Sequence, residues 1–259
     1  MRNIFLILLW ILSLAFAIFY TYEHPEKIEG VKQYFQEFND PDIKLEKTNV
    51  EKARANSFSV EFSKIISLSE RTAFIIYEEQ YSNFDENNLI IYTQNGYLIK
   101  NLKSKKLNLP NVFTTQRNGG IKTIFTHNNN EFALISSSKT NCFYASIVLL
   151  ENGKEILKTK CLNETKKMTD FNGLGSSNLH HNNKILLSIG APEQGSSKIR
   201  ALAQDNSSMY GKILEIDKMD LDKIISNEKS NLTLRVFTSG HRNPQGITKI
   251  NESLFSVEH

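Results

Sequence analysis

Gly240-His241-Arg242-Asn243-Pro244-Gln245-Gly246-Ile247 lies between two strand-like runs, residues 232–237 before it and Leu254-Phe255-Ser256-Val257-Glu258-His259 after it. The octapeptide packs a cation, a carboxamide and two turn-forming residues into one short loop. Arg242 offers five donors in a rigid fork suited to carboxylates, and Asn243 adds an amide donor and acceptor. Pro244 fixes the backbone, and Gly246 lets another group approach closely. Such a loop can hold an anionic or carbonyl-rich ligand. The same residues also suit a plain strand-crossing loop whose arginine pairs with a carbonyl or an acid.

The sequence upstream of this loop is built from short β-rich runs separated by turns. Phe58, Val60 and Phe62 alternate with polar residues, the period-two signature of a half-buried strand. Residues 72–77 form a continuous apolar run, as a more buried strand does. Further strands are expected at 89–93 and 97–99 around Gln94-Asn95-Gly96, and at 121–126 and 132–136 around His127-Asn128-Asn129-Asn130. Three more are expected at 184–189, 212–216 and 232–237, and 220–226 reads as one or two helical turns. Many short strands at regular spacing predict an all-β fold, a sandwich, barrel or propeller.

The chain has 259 residues and a formal net charge of +3. Near-balanced charge with no basic stripe gives no footprint for nucleic acid. Residues 4–20 carry no charge and follow Arg2, which predicts a signal anchor or transmembrane helix over 1–20. A cleaved signal peptide is the alternative, with Ala15-Phe16-Ala17 as its small-x-small site. Either way the remainder is exported, to the periplasm or outside the cell. Residues 21–56 read as a charged juxtamembrane connector, in which Pro25 opens a short helix that Pro41 ends, or equally as a first strand-and-helix cap on the domain. The β-rich domain is expected over 57–259.

Cys142 and Cys161 fall in the exported part and flank an expected hairpin whose turn is Asn152-Gly153. A two-residue turn there leaves the cysteines two positions from direct opposition, an offset that one bulge reconciles. An oxidising compartment permits a disulfide between them, with two free thiols as the alternative.

Residues 240–246 resemble the Gly-His-Arg-Asn-Pro-Gln-Gly element of the soluble quinoprotein glucose/sorbosone dehydrogenases. Two upstream segments match the same family in order. Lys184-Ile185-Leu186-Leu187-Ser188-Ile189-Gly190 is similar to its strand ending in Gly, and Ala203-Gln204-Asp205 with Gly211-Lys212-Ile213-Leu214 is similar to its Ala-Gln-Asp…Gly-Lys-Ile-Leu element. Ser256-Val257-Glu258-His259 resembles the family's next Ser-Glu-His. The resemblance covers about 140–259 and implies a six-bladed β-propeller, of which about four blades are present at roughly 40–50 residues each. It implies oxidation of an aldose sugar or related alcohol, with pyrroloquinoline quinone (PQQ) accepting hydride and calcium as a second cofactor. Arg242 and Asn243 are implied contacts to the quinone. The family's calcium-binding carbonyls come after the Glu-His pair, so they lie beyond His259, and the chain reads as an N-terminal fragment. No metal ligand is assigned within it.

The chain departs from the family at the general base. Where family members carry a histidine, this sequence has Asn172, or Phe171 beside Asp170 if one insertion is allowed near Leu174. Neither Asn172 nor Phe171 can take a proton. Ser176 stands where the family has an arginine. Asp170 is a candidate base if burial raises its pKa. His180 and His181, next to Asn182-Asn183, read as turn residues, and His241 as an orienting residue. A second reading is therefore a non-catalytic propeller that binds a sugar, a glycan or a protein.

Overall fold

The computed structural model describes residues 89–114, 119–140, 142–162, 176–191 and 201–258, and the backbone of five earlier strands. These five are β1 (Ile43–Leu45), β2 (Glu51–Ala55), β3 (Phe58–Phe62), β4 (Ile66–Leu68) and β5 (Thr72–Tyr77). The expected membrane segment at 1–20 and the connector helix from Pro25 lie outside the described residues, as do Asp170, Phe171 and Asn172. Residues 21–56 nevertheless contribute β1, which pairs with β4, and β2, which pairs with β3. Among the described residues no helix is long and apolar enough to cross a membrane.

From β5 onward the chain forms antiparallel sheets in series. The first contains β5, β6 (Leu89–Thr93), β7 (Tyr97–Lys100) and β8 (Lys103–Lys106), in that order. The second contains β9 (Ile121–His127), β10 (Asn130–Lys139), β11 (Cys142–Leu149) and β12 (Lys154–Lys158). The third contains β13 (Asn178–His181), β14 (Lys184–Ile189), β15 (Lys212–Asp217) and β16 (Leu234–Ser239). A hairpin of β17 (Pro244–Ile250) and β18 (Ser253–Glu258) comes last. Among the described residues none of the sheets closes on itself.

The middle strands are apolar on both faces, and this dictates how the sheets stack. On β10, Phe132 and Leu134 pack toward the third sheet with Ile185, Leu187 and Ile216, while Ala133 and Ile135 pack toward the first with Tyr92 and Ile90. On β14 and β15, Leu186 and Ile213 turn the other way and meet Ile247 of β17. Each buried Ile or Leu contributes about 1.5–3 kcal/mol. The first strand of each sheet approaches the first strand of the next, β5 to β9, β9 to β13 and β13 to β17. Asn178 of β13 seals one such junction, donating to Thr123 Oγ1 at 2.8 Å and to the Ile124 carbonyl at 2.7 Å. Four-stranded meanders stacked face to face with their first strands adjacent are the arrangement of propeller blades.

The turns obey local chemistry. Asn128 and Asn129 make a two-residue turn, both with positive φ, so His127 and Asn130 join the ladder as a pair. The Asn152-Gly153 turn is wider than its sequence predicts: the loop takes residues 150–153, and Leu149 pairs with Lys154. Leu150 is buried and its amide donates to the Glu131 carbonyl, which removes it from the hairpin ladder. Asn152 instead accepts from the Lys154 amide at 2.9 Å, and only Gly153 adopts a positive φ. The register shifts between Ile147 and Val148. Cys142 and Cys161 form a disulfide with their Cα atoms 5.3 Å apart.

The expected turns at 220–226 are a full helix, α1 (Lys218–Ile225), between β15 and β16. Asp217 caps it by accepting from the Met219 amide at 3.0 Å, and Leu221 and Ile224 reach the core. On its outer side Asp222 Oδ1 lies 2.7 Å from His127 Nε2 and accepts from Asn128 Nδ2, which ties α1 to the second sheet.

Candidate functional site

Residues 240–243 connect β16 to β17 at the end of the third sheet where β14 finishes and β15 begins. The backbone of this loop is fixed from three directions. Gly240 N donates to the Ala203 carbonyl (3.0 Å) and His241 N to the Gly211 carbonyl (3.1 Å), while the Arg242 carbonyl accepts from Ala191 N (2.8 Å). Ser188 Oγ accepts from Ser177 N at 2.7 Å and faces the Pro244 carbonyl at 3.1 Å. Ser177 Oγ in turn accepts from Ile247 N at 3.1 Å. The Lys184–Ile189 strand, the 203–211 turn and the octapeptide, separated in sequence, therefore meet at one place.

Glu258 completes the loop. In the β17–β18 ladder it stands opposite Pro244. Its carboxylate bonds the His241 ring at Nδ1 and accepts from Arg242 N at 3.1 Å. The Asn243 amide also donates to it. Burial opposes the charge of Glu258, but the His241 bond and the two amides outweigh it and hold the carboxyl below its usual pKa. The far nitrogen of His241 lies 2.6 Å from Thr238 Oγ1. Arg242 is exposed and Asn243 is buried beside it.

The 201–211 turn that supports the loop has its own frame. Lys212 is fully buried, and its ammonium donates to the carbonyls of Ala203 (2.6 Å), Leu202 (3.1 Å) and Tyr210 (3.1 Å). Burial pushes its pKa down, with the charge of Asp205 opposing. Tyr210 is buried and bonds Thr159 Oγ1 at 2.6 Å and the Lys160 carbonyl at 3.1 Å, anchoring the turn to the end of β12. Burial pushes its hydroxyl up to about 12, so it stays a donor at neutral pH. Asp205 accepts from the amide and hydroxyl of Ser207, bonds that lower its pKa, and Gln204 lies under Gly240. Both residues shape a turn.

The other residues singled out from sequence lie around this loop or away from it. Ser176 donates to the Ser188 carbonyl at 2.8 Å. His180 and His181 end β13 rather than sitting in the turn, which is Asn182-Asn183. Burial and the charges of Lys218 and His127 lower the pKa of His180. Neither histidine bonds the octapeptide loop. Among the described residues no group of three or more His, Cys, Asp or Glu is placed to hold a metal ion.

Sequence reasoning missed Lys212 and Glu258 as organisers. Lys212 carried a signal: it shares strand phase with Leu214 and Ile216, which face the core, so a charge there required buried acceptors. Glu258 carried only its place in the family-like Ser-Glu-His, because the β17–β18 register alone sets it against the loop.

A family model described as Glucose / Sorbosone dehydrogenase matches residues 83–259. No curated protein and no solved structure matches the chain.

Proposed function

The chain belongs to the glucose/sorbosone dehydrogenase family, and we propose that it oxidises an aldose sugar or a related alcohol outside the cytoplasm. The observation that carries this reading is the Glu258-braced loop, which holds Arg242 and Asn243 at the meeting point of all three family-like segments. Its donor set suits pyrroloquinoline quinone, an anionic, carbonyl-rich group. Arg242 supplies a charged fork for carboxylates and Asn243 an amide for a carbonyl. When bound, the quinone supplies a two-electron acceptor for the sugar's hydride. The proton that leaves with the hydride needs a base, and Asp170 is the candidate. In this reading the fold is a propeller of four-stranded blades. The Cys142–Cys161 disulfide supports an oxidising compartment, and residues 1–20 would supply the export signal or anchor.

The experiment is dye reduction by the protein with quinone and calcium across a sugar panel. Turnover that falls roughly 10²–10⁴-fold in Asp170→Asn is expected. Absence of turnover with every sugar sinks the enzyme reading. The second reading, a non-catalytic binding propeller, is favoured by one observation: Ser176, where the family has an arginine, is spent on the Ser188 carbonyl. Titration with quinone alone separates the two, because the binding propeller has no need of it.

A further inference from the structure

His241 of the octapeptide loop and Glu258 of β18 form an acid–histidine pair that the reaction above does not use. Glu258 gathers three donors into one carboxylate: the His241 ring, Arg242 N and Asn243 N. Thr238 Oγ1, 2.6 Å from His241 Nε2, can donate to that nitrogen, which leaves the proton on Nδ1 to face Glu258. The bonds link Thr238, His241 and Glu258 in one chain. On the other side of the same residue, Ala191 N holds the Arg242 carbonyl. The Arg242 backbone is thus gripped at both its N–H and its C=O, and the residue is exposed.

We propose that Glu258, acting through His241 and the Arg242 and Asn243 amides, is the positioning residue that sets how this loop presents Arg242 to an anionic ligand. His241 is an orienting link and not a base. The ligand part rests on the quinone reading above, whereas the clamp itself is a property of the chain alone. The reason for a carboxylate at this position is geometric. Two oxygens with about four lone-pair sites can accept three donors at once. A carboxamide offers one oxygen and turns an NH2 toward the donors.

The test compares the full chain with Glu258→Gln, Glu258→Ala and, as a control in the same hairpin, Glu252→Gln, whose exposed carboxylate pairs with Lys249. Two readouts are taken: amide hydrogen exchange without ligand, and fluorescence titration with pyrroloquinoline quinone itself. In E258Q the Arg242 and Asn243 amides are expected to exchange at least about tenfold faster, with β14 and β15 amides unchanged. Quinone affinity is expected to fall by a similar factor, further in E258A, and not at all in E252Q. Unchanged exchange at 242 and 243 overturns the clamp. So does loss of protection throughout β14 and β15, which would make Glu258 a support of the fold and not of the loop. If wild-type protein binds no quinone, the cofactor reading fails while the exchange data still decide the clamp.

Discussion

Single residues at the third sheet carry constraints that their neighbours impose. Gly211 adopts φ +67, and a Cβ there would lie 2.5 Å from Ala203 Cα and 2.6 Å from the His241 carbonyl oxygen. Both contacts are with backbone that cannot swing away. Gly211→Ala is therefore expected to cost about 2–4 kcal/mol, read as a lower urea midpoint, and to loosen the 240–243 loop it touches. Lys212 works by the opposite logic, since its charge is tolerated because three carbonyls surround it. Lys212→Met keeps the volume but strands those acceptors, and a loss of about 2–4 kcal/mol is expected in the same measurement. Stability equal to wild type would show that the three bonds contribute nothing net. Strand phase in the sequence already marks Lys212 as inward-facing. The identity of its acceptors was hidden, because they come from the irregular turn before it.

Elements depend on their ends. Asp217 caps α1 through the Met219 amide and pairs with Lys184 of β14 at 2.7 Å. The Lys184 bond, then the amide, lowers its pKa, with burial opposing. A carboxyl depressed in the folded state stabilises above its ordinary pKa, near 4, and loses that contribution as pH falls through the lowered folded value. Asp217→Ala is accordingly expected to lose about 1–2 kcal/mol at pH 7 and to converge on wild type in acid, as thermal melts against pH would reveal. The β11–β12 hairpin is held differently. Its disulfide closes a separation of 19 residues, so the Cys142→Ser/Cys161→Ser variant is expected to lose about 3 kcal/mol, measured against oxidised protein in denaturant. Short β-rich runs bounded by turn residues made most strands legible, and Lys184–Ile189 has the same bounds in sequence and structure. The Asn152-Gly153 turn was not, because burial of Leu150 outweighed the local preference for a two-residue turn.

Across the whole molecule, both-face burial of β10, β14 and β15 forces serial stacking of sheets, whereas the last hairpin leaves apolar side chains of one face in solvent. Phe255 and Val257 share that face of β18 and are 49% and 62% exposed. Phe255→Lys with Val257→Lys is expected to reduce self-association in light scattering without shifting the thermal midpoint; equal scattering would show that this face is not adhesive. The sequence by itself determined the strand-rich class, most strand positions, the family-like segments and the presence of Arg242 and Asn243 in one short loop between strands. These stem from local periodicity, turn residues and motif order, all of which act over a few neighbours. Only the tertiary structure decided that the Lys184–Ile189 strand, the 201–211 turn and residues 240–246 converge, that Lys212 braces the turn, and that Glu258 clamps the loop. Those facts depend on sheet register and on hydrogen bonds between residues far apart in the chain, and a shift of one position on β18 would turn Glu258 to the opposite face.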